Sequence, residues 1–239
     1  VNPSYSTRYY FQSLFRLSAN GSTRVSSVIV NGGYYWYAGG VAINPSTHDV
    51  YLTGNAYYLS SYPWTNLGSS GGGYRTTGYG YYDAVVLRFN SDFSQYLNAT
   101  VTAGSTSTSY YEAGNQLALD ASGNVYVMGI TGIDWGTCIG PGGGSYDMFV
   151  AKYSSDLRTQ YYNTRIGGNN YEPNASYSYT SMPATYYQNG GNPIIVDSSG
   201  QAWITGMTSS TDFPTTPGAY GTSNPGNYAA FVLALNSSG

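Results

Sequence analysis

Three glycines, Gly54, Gly129 and Gly206, stand 75 and then 77 residues apart, and each closes the same short pattern. Ahead of Gly54 lie Val41-Ala42-Ile43-Asn44 and Asp49-Val50-Tyr51-Leu52-Thr53. Ahead of Gly129 lie Leu117-Ala118-Leu119-Asp120 and Asn124-Val125-Tyr126-Val127-Met128, and ahead of Gly206 lie Ile194-Ile195-Val196 and Ala202-Trp203-Ile204-Thr205. Short or alternating apolar runs bounded by Asn, Asp, Ser and Gly are strand signals, and a tight turn between two of them makes a hairpin. Repetition at this spacing constrains the fold more than any other feature, because a small repeated unit hides its apolar face only against a neighbour.

A third strand follows each hairpin, at 83–89, 147–153 and 228–235, and a fourth follows the first two of these, at 96–104 and 161–168. The N-terminal runs at 11–17 and 25–33 fit the third and fourth strands of the same unit. Thirteen strands are expected in this way, with 5–10 as a further candidate. The chain divides into a partial unit at 9–33, units at 39–104 and 115–168, and an incomplete unit at 192–239, all in a single domain of 1–239. Four-stranded antiparallel units in tandem predict an all-β fold, a β-propeller. Four blades are expected, with one blade completed by the N-terminal strand or strands.

The third unit carries the pattern Val196-Asp197-X-X-Gly200-X-Ala202-Trp203-Ile204-Thr205-Gly206-X-Thr208-X-Ser210-X-Asp212-Phe213-Pro214-X-X-Pro217-Gly218-Ala219-Tyr220. It resembles the SBBP β-propeller repeats of large exported bacterial and archaeal proteins. Asp147-Met148-Phe149-Val150-Ala151-Lys152 and Tyr162-Asn163-Thr164-Arg165-Ile166-Gly167-Gly168 are similar to later segments of that repeat. The resemblance implies a propeller fold and an extracellular or cell-surface setting, and it implies no catalytic residues.

Charge narrows the partners. Eight Lys plus Arg are scattered singly in a chain of net charge −3, so no basic stripe exists to neutralise phosphates, and nucleic acid is not an expected partner. Apolar runs are interrupted well before the ~18 residues that a spanning helix needs, so no membrane insertion is expected. Cys138 stands alone and is expected to be a half-buried loop residue without special reactivity.

Ten of the 11 acids sit at positions that recur between units, where they are expected to cap turns and fix loops rather than react. Asp120 matches Asp197, Asp83 matches Asp147, Asp92 matches Asp156, Glu112 matches Glu172, and Asp134 matches Asp212. The lone His48 lies in a turn with no nucleophile or second ligand beside it. No enzyme, cofactor or metal site is expected. Trp203, at the position of Tyr51 and Tyr126, is expected in the core between blades, and Trp64, Trp135 and Phe213 share a second repeated position at the loop exit.

The 29 tyrosines exceed what such a core needs, and many fall in long Ser-, Gly- and Asn-rich loops. Tyrosine with small polar neighbours suits adaptable contact surfaces and sugar stacking. The expected contact surface comprises Trp36, Tyr57, Tyr58, Tyr62, Tyr74, Tyr79, Tyr177, Tyr179, Tyr186 and Tyr187. Asn-X-Ser/Thr sequons at Asn20, Asn98, Asn174 and Asn236 permit glycosylation. Together these features predict a non-enzymatic extracellular structural protein whose partners are other copies of itself, joined through loops or strand completion into a filament or surface layer. The alternative is a carbohydrate-binding propeller module whose partners are glycans.

Overall fold

The computed structural model describes residues 12–30, 36–57, 72–76, 78, 82–103, 111–132, 136–144, 146–170, 172, 194–226 and 228–239. Among them there is no helix, so none is long and apolar enough to cross a membrane. Four sheets follow one another along the chain. Sheet 1 is the hairpin β1 (Gln12–Leu17) and β2 (Arg24–Val30). Sheet 2 is a four-stranded meander of β3 (Trp36–Ile43), β4 (Val50–Tyr57), β5 (Tyr82–Phe89) and β6 (Tyr96–Ala103). Sheet 3 contains β7 (Ala113–Leu119), β8 (Val125–Thr131), β10 (Asp147–Tyr153) and β11 (Gln160–Ile166), with the short β9 (Thr137–Ile139) added parallel to β11. Sheet 4 holds β12 (Ile194–Val196), β13 (Ala202–Thr208) and β14 (Ala229–Leu235).

All thirteen expected strands that lie among the described residues are present, and β9 is an addition. The candidate at 5–10 lies outside the described residues. Among the described residues no N-terminal strand joins sheet 4. β1 and β2 pair with each other in a sheet of their own, and β14 ends sheet 4. Among the described residues the sheets close into neither a barrel nor a ring.

The closing glycines have a packing reason. A Cβ on Gly54 would collide with the Tyr37 carbonyl, and one on Gly129 with the Ala113 carbonyl. A Cβ on Gly129 or Gly206 would also run into the ring of its cross-strand partner, Phe149 or Phe231, 2.6 Å away in each case. In these two units the aromatic ring lies over the bare backbone of the facing strand, which only glycine permits.

The turns repeat as closely as the strands. In the strand-one to strand-two turn, Asp120 Oδ1 accepts the backbone N–H groups of Ser122 and Asn124, and Asp197 Oδ1 those of Ser199 and Gln201. Asn44 does the same for Ser46 and Thr47. Gly123 and Gly200 take positive φ in their turns, and His48 does so in the first, at 60°. The lone histidine is therefore an exposed turn residue. In the turn after strand three, the positive-φ residue is Gly21 in sheet 1, Phe93 in sheet 2, Leu157 in sheet 3 and Gly239 after β14. Apolar side chains in this strained conformation persist because burial holds them: Leu157 is fully buried, and Phe93 packs edge-on against Phe89.

Three apolar layers join the sheets in chain order. Leu14, Val28 and Val30 of sheet 1 meet Leu52, Val85, Leu87 and Phe89 of sheet 2. The opposite face of sheet 2, with Tyr51, Ala84 and Val86, meets Leu117, Val125, Val127 and Phe149 of sheet 3. The opposite face of sheet 3, with Tyr126, Met128 and Val150, meets Ile194, Ala202, Ile204 and Leu235 of sheet 4. Each sheet thus has a front face, turned to the next sheet, and a back face, turned to the previous one. Each such layer removes several large side chains from water, at about 1.5–3 kcal/mol per fully buried residue.

Candidate functional site

One row of residues crosses the front face of each unit and shows how the units differ. In sheet 2, Tyr51 pairs across the strands with Arg88, whose guanidinium lies 6.0 Å from the ring centroid and 2.6 Å from Asp49 Oδ2. The Tyr51 hydroxyl donates to the Ser155 carbonyl of sheet 3 at 2.6 Å. In sheet 3, Tyr126 pairs with Lys152, whose ammonium stands 4.8 Å from the ring centroid and 3.7 Å from Asp120 Oδ2. The Tyr126 hydroxyl lies 3.2 Å from the Gly200 carbonyl of sheet 4. A tyrosine, a cation and an acid therefore form a polar end to the layers between sheets 2 and 3 and between sheets 3 and 4, with the hydroxyl reaching across to the next sheet.

Sheet 4 has the same row with different contents. Trp203 replaces the tyrosine and Ala234 replaces the cation. Asp197 keeps the acid, and the Trp203 indole N–H donates to its Oδ2 at 2.8 Å. The Ser199 hydroxyl and then the Trp203 indole hold the Asp197 carboxyl down at about 2. Expected in the core, Trp203 is instead 42% exposed, because among the described residues no sheet covers this front face. Around it stand Ile195, 56% exposed, and Val232, 74% exposed, with the exposed Ala230 and Ala234 on the same side of β14. At the other end of the molecule, the back face of sheet 1 exposes Phe15 (56%), Leu17, Val25 and Ile29 (65%). Contiguous apolar surface rimmed by polar groups marks an interaction site.

The repeated acids divide into two groups. Asp92 and Asp156 cap turns through the N–H groups of Ser94 and Arg158, as Asp120 and Asp197 do in theirs. Asp212 accepts the Asn169 N–H at 2.9 Å and so ties sheet 4 to the loop after β11. Asp83, Glu112, Asp147 and Glu172 are buried. On the side of sheet 3 towards sheet 4, within the sheet, Asp147 Oδ2 accepts from Arg165 Nη1 at 2.8 Å. Glu172 accepts from the Gly168 N–H and from the hydroxyls of Thr208 and Ser210. Of these two buried carboxylates, Asp147 takes the guanidinium and Glu172 takes neutral donors. Burial pushes the Asp147 carboxyl up to about 7, Arg165 draws it down, and Glu172 adds to the rise. Among the described residues no three His, Cys, Asp or Glu side chains gather where they could hold a metal.

The expected loop surface is brought together only in part. Tyr57 is half-buried with its ring 4.7 Å from that of Tyr82, and Tyr74 is exposed beside Tyr153. Trp36 begins β3, its backbone paired with Ala56. Tyr58, Tyr62, Tyr79, Tyr177, Tyr179, Tyr186 and Tyr187 lie outside the described residues, as does Asn174, and so do Trp64 and Trp135. Phe213, which shares their repeated position, stacks on Phe231 with centroids 4.6 Å apart. Of the sequons, Asn20 and Asn236 are exposed, whereas Asn98 is buried and its amide donates to the Asp156 carbonyl of sheet 3. In the folded chain that amide is committed to joining two sheets. Cys138 is exposed and sits in β9 rather than half-buried in a loop.

The open faces were not singled out in the sequence, although one signal for them was there. Aligning the third strands puts Arg16, Arg88, Lys152 and Ala234 at one position, and only the last lacks a cation. No protein-family model matches the chain, and no curated protein matches it either. The class that the fold itself defines is a tandem array of antiparallel β-sheets stacked face to face.

Proposed function

We propose that this chain is a non-enzymatic structural protein of the cell exterior that associates with other copies of itself, and that its stacked sheets are propeller blades. The carrying observation is the pair of open apolar faces, on sheet 1 and sheet 4, at the two ends of the stack. Such faces are stable in water only when small or covered. The outer edge of β14, to which no described strand is hydrogen-bonded, adds a second route to association. The acids support a non-catalytic reading, since Asp92, Asp120, Asp156 and Asp197 hold turn caps that recur from unit to unit, and Asp147, Glu172 and Asp212 are engaged in hydrogen bonds around the junction of sheets 3 and 4. The paucity of charge and the wealth of Ser, Thr, Asn and Tyr support an extracellular setting.

The carbohydrate-binding alternative gains one observation, the exposed indole of Trp203. Its flanks are Ile195, Val232 and alanines, and the nearest carboxylate already accepts the indole N–H. Sugar hydroxyls want free polar partners beside the stacking ring, so this surroundings favour a protein sheet. Light scattering over a wide concentration range tests the reading. Mass that rises with concentration in multiples of 25.6 kDa is expected; a mass fixed at one chain throughout overturns it.

A further inference from the structure

We infer that the open front face of sheet 4 is a docking surface for the open back face of sheet 1 in a second copy of this chain, so that copies join head to tail. The inference rests on the self-association reading and specifies its surface. The stack has a polarity. All three sheet junctions within the chain place a front face on a back face. The two faces left over are one front and one back, so a junction between two copies continues the stack by the rule that already builds it.

The two open faces also fit chemically. Inner front faces carry a cation, Arg88 or Lys152, beside the tyrosine that reaches to the next sheet of the same chain. The front face of sheet 4 has lost that cation to Ala234 and carries Trp203, Ile195 and Val232 instead. Tryptophan at the centre of an apolar patch is the side chain that most often anchors a protein interface. Facing it, the second copy would bring Phe15, Val25 and Ile29.

Charge agrees with this. Asp197 lies in the turn at one end of the sheet 4 face and has no cation across the strands, where Lys152 serves its counterpart Asp120 and Arg88 serves the turn acid Asp49. Arg24 is exposed at the start of β2, beside the turn of sheet 1. The junction of sheets 2 and 3 brings such a turn against the front-face row of the preceding sheet, as the Tyr51 bond to the Ser155 carbonyl shows. The same placement sets Arg24 of one copy near Asp197 of the other. A front-to-back contact of this kind is heterologous, and it grows into a ring or a filament according to the rotation between copies.

Two glutamate substitutions and their mixture test this. Val232→Glu spoils only the front face and Ile29→Glu only the back face, each at a well-exposed position. Circular dichroism confirms folding, and Ile195→Glu and Phe15→Glu stand in for either variant that fails to fold. Each variant alone is expected to remain at 25.6 kDa where the wild type assembles, a weakening of self-association by at least about 100-fold. Their equimolar mixture is expected to stop at a dimer, since one good front face and one good back face remain. If either variant alone still assembles like the wild type, or if the mixture stays monomeric, the head-to-tail surface is overturned while self-association stands. If the wild type itself stays monomeric, the underlying reading falls with it.

Discussion

The front faces of sheets 3 and 4 are built on one pattern and meet opposite fates. Both place an aromatic residue on the second strand, an acid in the turn below it and a small residue on the first strand's side of the repeat or an isoleucine in its place. In sheet 3, Tyr126 is fully buried, its hydroxyl within reach of the Gly200 carbonyl and Lys152 above its ring. In sheet 4, Trp203 keeps its turn acid through the indole N–H but loses the cation, and its ring stays in view of solvent. The lesson is that burial in a stacked-sheet protein belongs to the junction and not to the residue. A larger and more apolar side chain is the more exposed of the two because a sheet covers one row and not the other.

The largest way to break that comparison is to truncate both aromatics. Tyr126→Ala is expected to cost about 3–5 kcal/mol in urea unfolding, through the cavity it leaves between two sheets. Trp203→Ala should cost less than about 1 kcal/mol under dilute conditions where the chain is a monomer. Equal losses would mean that Trp203 is covered within its own chain.

A somewhat smaller effect concerns the buried charges on the side of sheet 3 towards sheet 4. Arg165→Met leaves the buried Asp147 carboxylate without its guanidinium and is expected to cost about 3 kcal/mol at pH 8. The loss should shrink towards pH 5, because a protonated carboxyl no longer needs the cation. In the unaltered protein the Asp147 carboxyl is raised from 3.8 to about 7 on folding. The folded chain therefore binds the extra proton in that window. Its contribution to stability is full below about pH 4 and is lost as pH rises through about 7. Asp147→Asn should flatten this slope, and a pH-independent penalty for Arg165→Met would refute the link between the Asp147 proton and the guanidinium.

The smallest effect sharpens the comparison instead. Ala234→Lys restores the missing cation opposite Trp203 and beside Asp197. Because the site is exposed, unfolding free energy should change by no more than about 0.5 kcal/mol. A destabilisation above about 1 kcal/mol would place a covering sheet over this face.

Much of the architecture was legible in the chain itself. The turn residues Asn44, Asp120 and Asp197 bond their own backbone a few residues on, so their signal is local and their hairpins could be read directly. β9 could not, since Thr137-Cys138-Ile139 is three residues long and exists through a parallel pairing with β11, a contact set by the path of the loop. The exposure of Cys138 comes with it. Asp83 and Asp147 were legible as repeated positions, but their burial, and that of Glu112 and Glu172, was not, because no local pattern reports which carboxylates two sheets enclose. For the same reason Asn98 matched a sequon while its side chain was spent on joining sheet 2 to sheet 3.

What the sequence determined alone is the strand order, the turns and the repeat, each fixed by backbone chemistry acting over a few residues. The closing glycines belong there too, since a cross-strand ring or carbonyl fills the space of their missing side chain. Only the tertiary structure decided which faces are interior. β1 and β2 form a sheet of their own instead of completing that of β14, so the stack has two ends. An apolar row is core only where another sheet excludes water from it, and at those two ends none of the described sheets does.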